Sequence, residues 1–390
     1  MTLTLNALDL LFELGDACLQ KPEVYLQAGH NGPYRHPETP LRNKGHWLIT
    51  FSRLYEWSGD EKYRRAVKDL ASVFLEPQYR PHGYSFLHRN AKGKDRCNGI
   101  MGQAWSIESL AAASRTLSDP IYTKLASEVF LQHPFNDSLG LWNVLEVDGT
   151  VKPIDNAFNH QLWFAAAASF IMDSDPLIAE RVHTFMDKIW DNVTLLEDGL
   201  IYHELENITE DKFQTVVVSS GLVNVWQIVS AVLQKLRLKD KPLSPEERKK
   251  LQWSKMLNKS IGYHSFNTYA FGLLKNNTLE HPLWKHPKLL SIINYLLTNN
   301  YSKGIANNRY SYAYNPPGFE IPFSLASFEN DEEGNIRCSQ LFLQQQLDFC
   351  YNHESKLMDR NNEDIFTLTA RSYEISRSES NFLRKIIINS

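Results

Sequence analysis

The 390-residue sequence has few cysteines, no long apolar run and little net charge, and each shortage removes a class of protein. Its four cysteines, Cys18, Cys97, Cys338 and Cys350, lie far apart, with neither the CxxC spacing of a zinc site nor a disulfide framework. No apolar stretch nears the roughly 20 residues needed to cross a bilayer. The segment from Met1 to Gln20 carries Glu13 and Asp16 at helical spacing and lacks a basic leader region and a small-residue cleavage site. These features predict a reduced, cytoplasmic protein without a membrane span. The formal net charge is −4, and the one basic tract, Glu247-Arg248-Lys249-Lys250, reads as a solvated helix face, so nucleic acid is not an expected partner. A phosphate-cradling glycine loop, a GxSxG elbow, an HExxH pair and a dinucleotide fingerprint are also missing. Neither a cofactor nor a metal is expected.

What the sequence does contain is a repeat. A helical run from Lys44 to Trp57 stops at Ser58-Gly59-Asp60 and restarts from Glu61 to Leu75. The plan returns as Gly99 to Leu117 with Ile121 to Gln132, and as Asn159 to Met172 with Leu177 to Trp190. Each break supplies Asp or Ser as a cap, twice with a proline in the first new turn. Fainter pairs join 221–236 to Ser244–Leu257, His264–Leu274 to Pro287–Leu297, and Pro322–Phe328 to Gln340–Tyr351. Six starts, near 44, 99, 159, 219, 264 and 322, predict an all-α (α/α)6 toroid over residues 1–390 as one domain. Residues 353–390 are read as a C-terminal helical extension that packs outside the ring or completes it. Connections within pairs are short and those between pairs are long, which places all the long loops at one end of the ring. Short β-like runs are expected there at Gly83–His88, Gly140–Val147 and Gly199–Glu206.

Polar residues collect where those loops enter the inner helices. His36, Glu38, Arg42, His46 and Trp47 precede or open the first helix. His88, Arg89, Arg96, Asn98, Gln103 and Trp105 gather at the second, and Asp155, Asn159, His160 and Trp163 at the third. His264 and Tyr269, then Tyr314 and Glu320, mark two later starts. Trp47, Trp105 and Trp163 recur at equal intervals, either as a repeated packing position or as a platform on which sugar rings stack. Aromatic residues make up 12% of the chain, which suits both readings. The arginines, Arg35 among them, either hold an anionic group such as a uronic acid carboxylate or pair with Glu38, Asp95 and Asp155. Hydrolysis of a glycosidic bond needs an acid and a base about 5–10 Å apart. Asp155 and Glu320 are the expected pair, with Glu38 and Asp95 behind them. His160 or Tyr314 is the expected base for an elimination.

The break Trp57-Ser58-Gly59-Asp60-Glu61-Lys62-Tyr63, followed by a helix bearing Ala and Leu, resembles the six-hairpin glycosidase superfamily. That group includes unsaturated glucuronyl hydrolases and shares its toroid with N-acylglucosamine 2-epimerases and several polysaccharide lyases. Asn159-His160-Gln161-Leu162-Trp163-Phe164-Ala165-Ala166-Ala167 and Tyr314-Asn315-Pro316-Pro317-Gly318-Phe319-Glu320 also resemble members associated with surface-glycan gene clusters. The resemblance spans roughly residues 40–350 and is architectural, so no catalytic residue carries over from it. It implies an enzyme that cleaves a glycosidic bond, by hydrolysis or elimination, in an oligosaccharide or surface-glycan precursor. A sugar epimerase is the alternative, and a non-catalytic glycan-binding or docking scaffold the second.

Overall fold

Local capping builds the hairpins. In the computed structural model, residues 4–196, 198–205, 245–328 and 331–389 are described. Helix α1 (Ala7–Gln20) precedes α2 (Leu41–Ser58), which ends on Gly59 at φ +67°, a left-handed stop that favours glycine. Asp60 then caps α3 (Glu61–Val73) by accepting from the Lys62 amide. Asp119 and Asp175 repeat this between α4 (Gly99–Leu117) and α5 (Pro120–Gln132), and before α7 (Pro176–Asn192). The inner helix α6 (Phe158–Ala168) is shorter than the expected run and relaxes into 3-10 turns over Ser169–Ser174.

Inner and outer helices differ in how they are buried. In α4 every residue from Gly99 to Leu110 is buried, as befits a wall enclosed on all sides. In α3 only Tyr63, Ala66, Val67, Leu70, Ala71 and Val73 are buried, the single stripe of an outer helix. Each such large apolar side chain stabilises by roughly 1.5–3 kcal/mol.

Around the ring α2 packs on α4, α4 on α6, α6 on α9 (His264–Asn277), and α9 on α11 (Pro317–Phe328). The sixth wall is α13 (Ile365–Ala370) with the turns Arg371–Tyr373 and Ile375–Arg377, which touch α11 on one side and α2 on the other. Residues 221–236, expected to open a ring hairpin, lie outside the described residues. Their expected partner is helix α8 (Pro245–Gly262), which runs into α9 through Tyr263. Helices α10 (Pro287–Tyr295) and α12 (Glu332–Cys350) lie outside α11. The helix α11 starts earlier than the expected Pro322 because Pro317 suits a first helical turn.

Strand β1 (Thr4–Asn6) pairs antiparallel with β5 (Ile387–Asn389), clasping the two described ends of the chain. The connection from α5 to α6 carries an antiparallel sheet of β2 (Phe135–Asn136), β3 (Leu141–Leu145) and β4 (Val151–Ile154). Of the other expected β-like runs, Gly199–Glu206 supplies isolated bridges, Leu195 to Ile201 and Ala157 to Glu204, and Gly83–His88 is irregular. Among the described residues no helix is long and apolar enough to cross a membrane.

Candidate active site

The inner helices start at the end of the ring that carries the long connections. There α6 presents the best-formed acid–base pair among the described residues. His160 Nδ1 donates to Asp155 Oδ2 at 2.8 Å. Asp155 also accepts from the amides of Ile100 and Ala157, so its carboxylate is fixed by two helix starts at once. Burial works to raise the Asp155 pKa, but the neighbouring His160 and these amides outweigh it and hold the carboxyl below its usual range. With Nδ1 engaged, a neutral His160 has Nε2 as its acceptor, on a ring that is 27% exposed. Gly99, at φ +59°, makes the close approach: a Cβ there would stand 2.4 Å from Asp155 Oδ2 and 3.1 Å from His160 Nδ1.

Around this dyad the mouth is phenolic and basic. Tyr34 and Tyr263 hydroxyls meet at 3.0 Å, Tyr263 donates to Tyr314 at 3.3 Å, and Tyr314 donates to Asn31 Oδ1 at 2.8 Å. The Lys259 ammonium lies 5.7 Å from the Tyr34 ring and 5.8 Å from the Tyr263 ring, and burial lowers its pKa against the pull of Glu204. The Phe158 amide donates to the His203 carbonyl, which docks the 202–205 loop on the start of α6. The His203 ring lies 4.6 Å from Tyr263, tilted by 58°, and its pKa is pressed down first by burial, then by Lys259 and His160.

Below the mouth the ring axis is filled by a polar column. Arg42 lies over the Trp105 ring at 3.9 Å and pairs with Glu38 at 3.3 Å. Burial drives the Glu38 pKa up to about 6 against that pairing. One turn further along α2, His46 stacks on Tyr373 at 4.2 Å, and both its buried ring nitrogens are without a hydrogen-bond partner among the described residues. Arg371 on the sixth wall bridges Glu320 and Glu374, each at 2.5 Å, and bonds Asn315 and the Tyr314 carbonyl. Ser265 donates to the other Glu320 oxygen at 2.5 Å.

The expected site residues divide accordingly. Asp155 and His160 are brought together. Asp155 and Glu320 are not: each carboxyl is committed to a different partner, and Glu320 is wholly buried. Trp47 and Trp163 are also wholly buried, and Trp163 stacks on Phe266 and Tyr269. Trp105 has its face covered by Arg42. His264 is satisfied by the Ile292 carbonyl and the Ile201 amide, and Gln103 bonds the backbone of Phe86 and Cys97. His88 bonds Ser106, while Asn159 and Tyr269 are buried in the wall. Each of these groups is buried among the ring helices and their entry loops. Of the arginines, Arg35 pairs with Glu363, Arg42 with Glu38 and Arg89 with Asp95, while Arg96 is exposed. His36 is half-buried beside Tyr34, and Asn98 takes the left-handed position ahead of α4.

Asp95, Cys97 and Glu146 bring ligand-type atoms within 4.8 Å of one another. Their lone pairs are already used: Asp95 accepts from the Gly99 amide and the Cys97 thiol, Glu146 accepts from the amides of Arg96, Cys97 and Val147, and Lys152 pairs with Glu146. The cluster fastens a loop to the start of α4. Sequence reasoning missed Arg371, Glu374 and Glu108, whose one signal was a charge set in an apolar helical run.

No protein-family model matches the chain. Over 370 residues it is 36% identical to archaeal glycosylation protein Q of Haloferax volcanii, covering 92% of this chain and 93% of that one. The chain belongs to that protein's family. Solved structures share its fold at low identity. A cellobiose 2-epimerase from Spirochaeta thermophila superposes with a TM-score of 0.58 at 12% identity, over 95% of this chain and 96% of that one. An unsaturated glucuronyl hydrolase specific for heparin gives 0.56 at 12% identity, with the same coverage. An α-1,6-mannanase from Salegentibacter gives 0.53 at 10% identity, over 95% and 99%. This family member therefore has the (α/α)6 toroid fold that these three structures share.

Proposed function

We propose that this chain is a carbohydrate-active enzyme of glycan assembly or processing whose reaction turns on proton transfer at a sugar carbon, as epimerisation or elimination requires. The observation that carries the reading is the Asp155–His160 dyad, an imidazole oriented through Nδ1 on a ring that is 27% exposed. Asp155 acts by fixing the ring and stabilising the imidazolium formed when Nε2 takes a proton. Lys259 supplies a cation for a developing enolate oxygen, while the Tyr34–Tyr263–Tyr314 chain, its hydroxyl protons engaged as far as Asn31, orders the wall beside it. Hydrolysis by two carboxyl groups is less well supported, because Glu38, Asp95, Asp155 and Glu320 are each already paired. With three of the four arginines also paired, the reading does not require a uronic acid.

The support from relatives is of two kinds. Membership in the glycosylation protein Q family favours a glycan substrate, and the toroid is shared with both an epimerase and hydrolases. The test incubates the full chain with a panel of reducing oligosaccharides, with and without uronic acid, in deuterated water. Deuterium entering a sugar C–H, as epimerisation gives, or an ultraviolet-absorbing unsaturated product, as elimination gives, is the expected result, and His160→Gln should lower its rate at least about 100-fold. New reducing ends with neither deuterium uptake nor an ultraviolet-absorbing product, or full activity in His160→Gln, would overturn it.

A further inference from the structure

At the end of the ring opposite the mouth, beside the short turns that join inner to outer helices, lie two adjoining cavities. Their volumes are about 210 and 110 Å³, and they share Arg115, Phe170 and Arg377 as walls. Arg53 completes the smaller one. Among the described residues, every charged side chain lining either cavity is an arginine.

The three guanidinium groups are not equally occupied. Arg53 donates to the carbonyls of Ser376 and Ser378 and pairs with the exposed Glu56, with the exposed Glu379 at 3.8 Å. The Arg377 side chain is 6% exposed, donates one Nη to Glu108 at 2.6 Å, and lies 4.8 Å from the Phe170 ring centre, yet among the described residues its buried Nε has no acceptor. Arg115 sits at the rim in the last turn of α4, and among the described residues it has no ion pair. Burial and the Arg377 charge, then Arg53, press its pKa down against the opposing pull of Glu56, and because an arginine stays charged a bound anion would relieve the repulsion among the guanidinium groups.

We propose that this cavity binds the phosphate group of a small phosphorylated metabolite, held by Arg115 and Arg377 with Arg53 behind them. Phosphate offers acceptors enough for separate guanidinium forks, and the Phe170 face gives the organic part an apolar wall. The space is several times that of one water molecule, about 30 Å³ in the liquid, and so admits the group with a few carbons attached.

The test titrates the full chain with glucose 1-phosphate, inorganic phosphate and succinate at constant ionic strength, by calorimetry and thermal shift. Saturable binding of the sugar phosphate, at least as tight as inorganic phosphate and about tenfold weaker in Arg115→Ala, is expected. Arg115 is a rim residue, so that variant should fold, and circular dichroism checks it. Tighter binding of inorganic phosphate or succinate, equal affinity in Arg115→Ala, or no saturation by about 10 mM would each overturn the proposal.

Discussion

Asp155 shows how a single side chain acquires its role. In sequence it is an acid just before a helix, suited to be a base in its own right. In the folded chain its oxygens are taken by His160 Nδ1 and two backbone amides, which in the proposed reaction makes it a positioning residue. Replacing it with Asn leaves the shape but removes the charge that favours this tautomer and the imidazolium, so kcat should fall about 10²–10⁴-fold with little change in melting temperature. An Asp155→Asn enzyme with wild-type kcat would remove the dyad from the mechanism. Arg371 is the structural counterpart. It is buried between Glu320 and Glu374, and burial opposes its charge while Glu374 and Glu320 outweigh that and raise its pKa. Arg371→Met would strand two buried carboxyls and should destabilise by about 3–5 kcal/mol, read from the urea midpoint.

At the scale of elements, helix starts do most of the work. Asp60, Asp119 and Asp175 each satisfy an amide in the first turn of an outer helix, and their replacement by Ala should cost about 1 kcal/mol apiece. The start of α4 has a second duty, since Gly99 lets that helix close on the dyad. Gly99→Ala meets both a left-handed backbone and two polar atoms, so it should cost about 1–3 kcal/mol and also lower kcat. A capping variant should lose stability alone. Comparing urea midpoints and kcat for Asp119→Ala and Gly99→Ala separates the two effects. The hairpins were legible because caps and prolines act within a few residues of chain. The sixth wall was harder to read, because Ile365–Arg377 breaks into short helical turns with no capped outer partner following it.

For the whole molecule, closure of the ring depends on both chain ends. Deleting 365–390 would remove a wall, the Arg371 bridge and the β1–β5 clasp, so the truncated chain should show no cooperative thermal transition. Buried imidazoles set the acid limit. Burial lowers the pKa of His88 to about 3 and those of His133 and His264 to about 4. Between those values and about 6.5 the unfolded chain binds protons that the native chain does not, so stability falls as pH drops through this window and levels off below it. His264 alone accounts for up to about 3 kcal/mol of that loss. Denaturation at pH 7, 5.5 and 4.5 should show a shallower decline in His264→Asn than in the wild type, and equal slopes would exclude this origin.

The sequence by itself determined the helical hairpins, their alternating loops and the end of the ring where polar residues gather, because capping, helical period and turn chemistry are local. Only the tertiary structure decided which of those polar residues meet. Trp47, Trp163, His264 and Glu320 share the pattern of His160 along the chain, yet packing buries them in the walls or pairs them across the axis. Burial and pairing are set by contacts distant in sequence, and Glu320 with Arg371 is the plainest case: neither residue announces its partner.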